Sequence, residues 1–354
     1  MNPDNLLNQL TLGVDTHLDI HVAVLLNGVG RLISTKEFPV NHDGYKSVLK
    51  WALSFGQLVS AGLEGTGTYG AGLCQYLLEN NVEVYEVNRP NRAKRRLIGK
   101  SDPTDAENAA RSVLAQESRA VPKSHDGLVE ALRYLLVARR SAIKARTQSI
   151  NQIRALLVSA PHDVREGYLV PSTHKCISLC SNIISLGESV LLQTLAQMLK
   201  LLASRWLSLS EELKLIDKRL KKLTKSAAGN LITQYGVGPY VAATLLVTAG
   251  GNPERLRKEA SFAALCGVNP LEASSGKKQR HRLNRGGSRE ANNALWTVAL
   301  IRMRSDARTI QYTEKRTTEG LTVKEIQRCL KRYIVRELFP IICRDLANSR
   351  RVLT

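Results

Sequence analysis

The chain has 354 residues, 43% of them hydrophobic, which suffices for two or three domains with their own cores. It contains no run of about 18 apolar residues, and its first residues lack the charged start and apolar core of a signal peptide, so neither a membrane-spanning nor a secreted protein is expected. The formal net charge of +20 favours a polyanionic partner such as DNA or RNA.

The positive charge is unevenly distributed along the chain. Residues 1–120 carry 12 Lys/Arg and 13 Asp/Glu, a net of −1, whereas residues 121–354 carry 39 and 18, a net of +21. The sequence therefore predicts a near-neutral first domain followed by a strongly basic remainder that provides most of the nucleic-acid affinity.

Apolar periodicity in the first part predicts an α/β domain. Strands are predicted at 10–15, 20–27, 31–38, 58–63 and 82–87, with Asn27-Gly28 as a turn, and helices near 42–55, 69–80, 89–98 and 103–117. The order βββαβαβαα is typical of the RNase H fold, which carries carboxylates on its first strand, its fourth strand and a late helix. We therefore predict an RNase H/RuvC-like domain over residues 1–120.

Four acidic residues occupy those positions. Asp15 and Glu64 end apolar strands, and Asp102 and Asp105 lie three residues apart at a predicted helix start, so that both can face the same way. Such a cluster needs a neutralising cation, and hard oxygen ligands suit Mg²⁺. The alternative for the second pair is helix capping, because Asp102 precedes Pro103 and Asp105 would lie in the first turn.

The middle of the chain is predicted to be an arm of two helices. Residues 128–160 and 183–225 are Leu-rich with helical periodicity and basic polar faces, and Pro161 and Pro171 mark a break. Two long helices with a short connection predict an antiparallel coiled coil within a helical region spanning 121–228.

Residues 229–354 are predicted to form a third, helical domain. Residues 231–248 resemble a helix-hairpin-helix, in which Gly236 and Gly238 would expose backbone N–H groups to a DNA phosphate. A plain turn between two helices is the alternative.

A serine doublet, Ser274-Ser275, follows in a loop with Gly276 and many cations, which are Lys277, Lys278, Arg280, Arg282 and Arg285. A serine in such surroundings can act as a phosphoryl-transfer nucleophile, because cations stabilise the charge of the transferring phosphate. The alternative is a phosphate-contacting loop in which serine only donates a hydrogen bond.

The ordered set of motifs resembles the one-ten family of insertion-sequence transposases, recombinases guided by a bridge RNA. The matching stretches are Gly13-Val14-Asp15-Thr16-His17, Leu63-Glu64-Gly65-Thr66-Gly67, Lys100-Ser101-Asp102-Pro103-Thr104-Asp105-Ala106, Tyr235-Gly236-Val237-Gly238, Ala273-Ser274-Ser275-Gly276-Lys277 and Arg282-Leu283-Asn284-Arg285-Gly286-Gly287. The resemblance implies a RuvC-like domain with an Asp-Glu-Asp-Asp set at Asp15, Glu64, Asp102 and Asp105, a coiled-coil region, and a transposase domain with a serine nucleophile at Ser275 or its neighbour Ser274.

The resemblance also implies a function. The protein would be a bacterial transposase of the cytoplasm, associated with the nucleoid, that cuts and rejoins donor and target DNA by transesterification with Mg²⁺. A noncoding bridge RNA would select both DNAs, and a homotetramer would assemble the site from two protomers.

Two other functions are compatible with the residues alone. A RuvC-like junction nuclease would use the acids and water, with a structural serine, and a noncatalytic nucleic-acid-binding protein would need neither. The complete set of four acids favours an enzyme over the second of these.

Overall fold

The computed structural model describes residues 7–87, 101–118, 120–252, 255–276 and 281–351, with side chains described as far as Ser349. The chain divides into two units, Met1–His125 and Asp126–Thr354. The first unit ends close to the predicted boundary at residue 120. The further boundary predicted at 228/229 lies inside the second unit, and the division there stays a prediction.

The first unit is built on a five-stranded sheet. Its strands are β1 (Gln9–Thr16), β2 (Ile20–Asn27), β3 (Leu32–Pro39), β4 (Gln57–Leu63) and β5 (Glu83–Glu86). Their order across the sheet is β3-β2-β1-β4-β5, with β1–β2 and β2–β3 antiparallel and β1–β4 and β4–β5 parallel. The mixed α/β sheet is consistent with the predicted RuvC-like fold.

Helices cover both faces of this sheet. They are α1 (His42–Leu53), α2 (Ala71–Glu79) and α3 (Asp102–Leu114). Leu12 and Val14 of β1 join the core beneath α1 and α2, whereas Val24 of β2 packs with Ala106 and Ala110 of α3 on the other side. The alternation of side chains along a strand thus separates the two cores. The helix predicted at 89–98 lies outside the described residues.

The turn between β2 and β3 follows the predicted Asn27-Gly28 signal. The Asn27 side chain accepts a hydrogen bond from Arg31 N at 2.8 Å. Gly30 has the left-handed backbone, with φ +83°, which glycine adopts without steric cost.

The second unit begins with two long helices, α4 (Gly127–Val158) and α7 (Val190–Ala227). Leu132 of α4 shares a core with Leu220 of α7, and Ile153 shares another with Ala203, so the two helices run antiparallel. The prediction of a short connection between them is wrong. The connection contains α5 (His162–Tyr168) and α6 (Thr173–Ser181), which form the second of these cores with the helix ends.

The remaining chain is helical around one larger core. After the 3-10 turn Leu231–Thr233 come α8 (Pro239–Ala249), α9 (Glu259–Leu265), α10 (Arg289–Ser305), α11 (Ala307–Thr318) and α12 (Val323–Arg351), with the strands β6 (Pro270–Glu272) and β7 (His281–Leu283) between α9 and α10. Leu246, Leu295 and Leu338 are buried together in the core that also receives Leu132 and Leu220.

The predicted helix-hairpin-helix is present only in its second half. Helix α8 follows the Gly236-Val237-Gly238 turn as predicted, but the first helix is the 3-10 turn. Helix α7 continues to Ala227, and in the stretch from 228 to 235 before Gly236 the structure has only this short turn. Among the described residues, no helix is both long and apolar enough to cross a bilayer.

Candidate active site

Asp15 and Glu64 lie side by side where β1 and β4 end. The parallel register pairs Val14 with Leu63, and Glu64 N extends it by donating to Val14 O at 3.4 Å. Gly13 precedes Asp15 by two positions on β1, and Gly62 precedes Glu64 by two positions on β4. Both glycines face α3, because a Cβ added to Gly13 or to Gly62 would lie 2.0 or 2.7 Å, respectively, from a backbone oxygen of that helix. With the period of two along a strand, Asp15 and Glu64 face the same side. Both are buried.

Asp102 and Asp105 approach the same face from the start of α3. Ser101, not Asp102, caps this helix, because its hydroxyl accepts from Thr104 N. Asp102 is therefore not the N-cap that the alternative predicted. The Asp102 carboxylate is available to the site. Asp102 is half-buried and Asp105 is buried one turn further along.

His17 was not among the predicted site residues, yet it joins two of the acids. Its Nε2 lies 3.2 Å from Asp15 Oδ2 and 3.4 Å from Asp102 Oδ2. The available sequence signal was the Asp15-x-His17 spacing, which places both side chains on one face of an extended segment. The ligand atoms of Asp15, His17 and Asp102 lie within 4.8 Å of one another.

The electrostatics of this cluster favour a bound cation. Burial raises the pKa of Asp15 above its ordinary value, and the carboxylates of Asp105 and Asp102 raise it further, while His17 opposes them. Removing a charge from water and placing like charges nearby both disfavour the ionised form. A divalent cation would reverse both effects.

The donor set fits such an ion. Carboxylate oxygens suit Mg²⁺ or Mn²⁺, and an imidazole nitrogen extends the choice to other divalent metals. Asp15, Asp102 and His17 supply ligand atoms that already converge, and the buried carboxylates of Glu64 and Asp105 lie on the same side of the sheet. The first unit thus has an acidic site that can hold a divalent metal.

The serine doublet lies in the second unit, in the hairpin formed by β6 and β7. Ser275 is exposed, whereas Ser274 is half-buried. Gly276 has φ +53°, a left-handed backbone, and an added Cβ there would meet no atom within 4 Å. Glycine is therefore favoured by the backbone conformation and not by a close approach.

Only two of the five cations predicted beside the serine lie in the described part of the chain. Lys277, Lys278 and Arg280 lie outside the described residues. Arg282 on β7 and Arg285 after it are exposed, and both line a cleft that extends from the hairpin toward α12.

The second predicted phosphate contact is the turn before α8. Gly236 has φ +81°, and Gly238 is exposed and precedes the first residue of the helix, Pro239. An added Cβ on Gly238 would meet nothing within 4 Å. The N-cap residue of α8 is therefore uncrowded on that side, and the phosphate contact at Gly236 and Gly238 stays a prediction.

Two family models match the chain. Residues 12–160 match a transposase model of IS110 elements with the DEDD signature, and this span includes all four acids. Residues 228–314 match the model described as transposase, IS116/IS110/IS902 family, and this span includes Gly236, Gly238 and Ser275. No curated protein matches the sequence.

Proposed function

The chain belongs to the IS110 family of transposases, which act on DNA by cutting and rejoining it, and we propose that its chemistry combines a serine nucleophile with a Mg²⁺ site. In this proposal Ser275 is the nucleophile and Asp15, Glu64, Asp102 and Asp105 hold the metal. A noncoding bridge RNA pairs with donor and target DNA and selects the sites.

The observation that carries this proposal is the convergence of the acids. Two strand ends and one helix start, far apart in sequence, bring Asp15, Glu64 and Asp102 to one face of the sheet, with Asp15 and Asp102 both contacting His17. Buried like charges cost stability, so a cluster of this kind is best explained by the ligand that it binds.

The proposed step is a transesterification at a DNA phosphate. Ser275 Oγ forms a bond to phosphorus, the bond between phosphorus and the 3′ oxygen breaks, and the hydroxyl proton leaves Ser275 while the 3′ oxygen gains a proton. Attack by a hydroxyl from the other DNA then reverses the step and rejoins the strands. When bound, Mg²⁺ neutralises charge on the phosphate oxygens.

Exposure supports Ser275 over Ser274 as the nucleophile. Ser275 is accessible to a DNA phosphate, whereas Ser274 is partly covered and already has an interaction within the protein. Arg282 and Arg285 lie on the following strand and loop, where they can contact the same phosphodiester chain.

The partners follow from charge and from the division of the site. The net charge of +21 over residues 121–354 suits two nucleic acids, the DNA and the bridge RNA. The acids belong to the first unit and Ser275 to the second. A homotetramer in which protomers complete each other's sites would make activity depend on assembly. The antiparallel α4 and α7 are the proposed coiled coil of that assembly, and Gly236 and Gly238 hold a backbone phosphate.

One observation favours a second function. The acidic site is formed wholly by residues of the first unit, as in a nuclease that activates water, and such an enzyme would not need Ser275.

Trapping a covalent protein–DNA adduct distinguishes the two functions. The protein, purified with its associated RNA, is incubated with labelled DNA and Mg²⁺ and separated on a denaturing gel. We expect a labelled adduct with the wild type and with Ser274→Ala, and none with Ser275→Ala. Mass spectrometry locates the phosphate. An adduct on Ser274 would reverse the assignment, and cleavage without any adduct would establish the water-dependent nuclease.

A further inference from the structure

A cleft of about 600 Å³ lies between the β6–β7 hairpin and α12. Its size falls in the range of roughly 300–1,000 Å³ found for pockets that hold small ligands. Residues from the hairpin, the loop after α9 and the start of α10 form one side, and α12 forms the other. The cleft is continuous with the hairpin that carries Ser275 but is lined by other residues.

The lining of this cleft is cationic. None of its described residues is acidic, and seven are basic, which are Arg282, Arg285, Arg289, Arg328, Lys331, Arg332 and Arg336. Arg332 pairs with Glu259. Within the described part of the chain, the other five arginines make no ion pair with a carboxylate. Several cations without carboxylate partners around one cavity favour an anionic ligand.

Lys331 is half-buried, whereas the five arginines without a carboxylate partner in the described part of the chain are exposed. Its Nζ donates to Asn292 Oδ1 at 2.7 Å. The Asn292 amide is oriented by its other end, since Nδ2 donates to the backbone oxygens of Cys266 and Gly267 at 3.0 and 2.9 Å. Burial lowers the pKa of Lys331, and Arg328 lowers it further. The ammonium is thus held in place by a neutral partner, at an energetic cost that an anion would relieve.

An aromatic ring lies beside these cations. Tyr333 lines the cleft and is 52% exposed. Tyr312 contacts it edge-on, with ring centroids 5.8 Å apart, and the Arg336 guanidinium lies 5.9 Å from its centroid. Exposed aromatic rings in a positively charged groove are the arrangement with which proteins stack bases of single-stranded nucleic acid.

We propose that this cleft binds a nucleotide of an unpaired strand, with backbone phosphates at Lys331 and Arg328 and a base stacked on Tyr333. A duplex does not fit this chemistry, because its bases are stacked on each other and offer no free face to a ring. The unpaired strand is either DNA opened at the recombination site or a single-stranded part of the guide RNA. This binding precedes any bond cleavage and does not depend on Ser275 being the nucleophile.

The test is fluorescence anisotropy with the full-length protein and three labelled ligands of equal length: a short oligothymidylate, the same chain without bases, and a duplex. The wild type should bind the oligothymidylate about tenfold more tightly than the abasic chain, as expected from one stacked base. Tyr333→Leu should abolish this preference, because it should weaken binding of the oligothymidylate and leave binding of the abasic chain unchanged. The matched control Tyr333→Phe keeps the ring and should keep the preference.

A second variant tests the phosphate contact. Lys331→Gln keeps a hydrogen-bond donor for Asn292 but removes the charge. It should therefore weaken binding of the oligothymidylate and of the abasic chain by the same factor. The proposal is overturned if Tyr333→Leu retains the preference for bases, or if it weakens all three ligands equally. An oligouridylate identifies the source, since tighter binding than oligothymidylate indicates the guide RNA and weaker binding indicates DNA. Ser275→Ala should bind like the wild type, so a failure to form the covalent adduct would leave this result unaffected.

Discussion

Replacing Asp15 with asparagine should separate metal binding from folding. Asp15 is buried, its carboxylate lies 3.2 Å from His17, and its pKa is raised by burial and by Asp105 and Asp102. The Asp15→Asn variant keeps the shape and removes the charge. Without metal the variant should therefore be at least as stable as the wild type at neutral pH. When a divalent metal is added, the stability of the variant should increase far less than that of the wild type.

The size of the effect follows from binding linkage. A ligand at about 100 times its dissociation constant stabilises the folded state by about 2.7 kcal/mol. For a unit of this size about 1 kcal/mol corresponds to a shift in Tm of about 4 °C, so saturating Mg²⁺ should raise the Tm of the wild-type first unit by about 10 °C. Asp15→Asn should lose most of that increase.

The pH dependence has a definite sign. A carboxyl with a raised pKa binds its proton more tightly in the folded state than in the unfolded state, so ionised Asp15 destabilises the metal-free fold above its folded pKa. As the pH falls from neutral through the folded pKa toward the ordinary value of 3.8, this destabilisation disappears. The stability advantage of metal-free Asp15→Asn over the wild type should shrink over the same range.

Differential scanning fluorimetry with EDTA and with a Mg²⁺ titration measures these effects. Asp19→Asn is the matched control, because it makes the same substitution at an exposed position four residues away and should respond to Mg²⁺ like the wild type. A wild type whose Tm does not respond to divalent cations, or an Asp15→Asn variant that responds fully, would refute the metal site.

Two further predictions concern stability and are measured by urea denaturation. Gly13→Ala should lower the free energy of unfolding by about 1–3 kcal/mol, because the new methyl would lie 2.0 Å from Ala106 O in α3. The control Gly167→Ala, whose methyl would meet nothing within 4 Å, should leave the free energy of unfolding unchanged. An equal loss in both variants would contradict the packing argument. Asp345→Ala should lower the free energy of unfolding by about 1–3 kcal/mol, because the buried carboxylate accepts hydrogen bonds from Leu231 N and from the backbone and side chain of Asn230. Asp345→Asn retains an acceptor oxygen and should lose less stability. A larger loss in Asp345→Asn than in Asp345→Ala would count against these hydrogen bonds.

The acidic site shows how far local sequence patterns reach. Continuous apolar runs identified β1 and β4, and the position of Asp15 and Glu64 at their ends was visible in the sequence. The choice between a capping and a site role for Asp102 was not visible, because Ser101 and Asp102 are both good N-caps and only the folded backbone shows that Ser101 caps α3. For His17, the spacing to Asp15 was visible in the sequence, but its contact with Asp102 was not.

The second unit contains the larger errors. Helical periodicity identified α4 and α7, but the two short helices between them gave only the signal of a break at Pro161 and Pro171. The first half of the predicted hairpin is wrong, because the residues between Ala227 and Gly236 form only the 3-10 turn Leu231–Thr233. Whether a short segment becomes an α-helix depends on packing as much as on its own residues.

By itself, the sequence determined the α/β character of the first part, the concentration of positive charge in the second, and the four acids and the serine doublet with their family resemblance. These are properties of composition and of short periodic segments, in which each residue acts on its near neighbours. Only the tertiary structure decided that His17 joins Asp15 to Asp102, that Ser275 is exposed and Ser274 partly covered, and that Lys331 and Tyr333 share a cleft with the hairpin. Each of these depends on packing between segments far apart in the chain, for which spacing along the sequence carries no information.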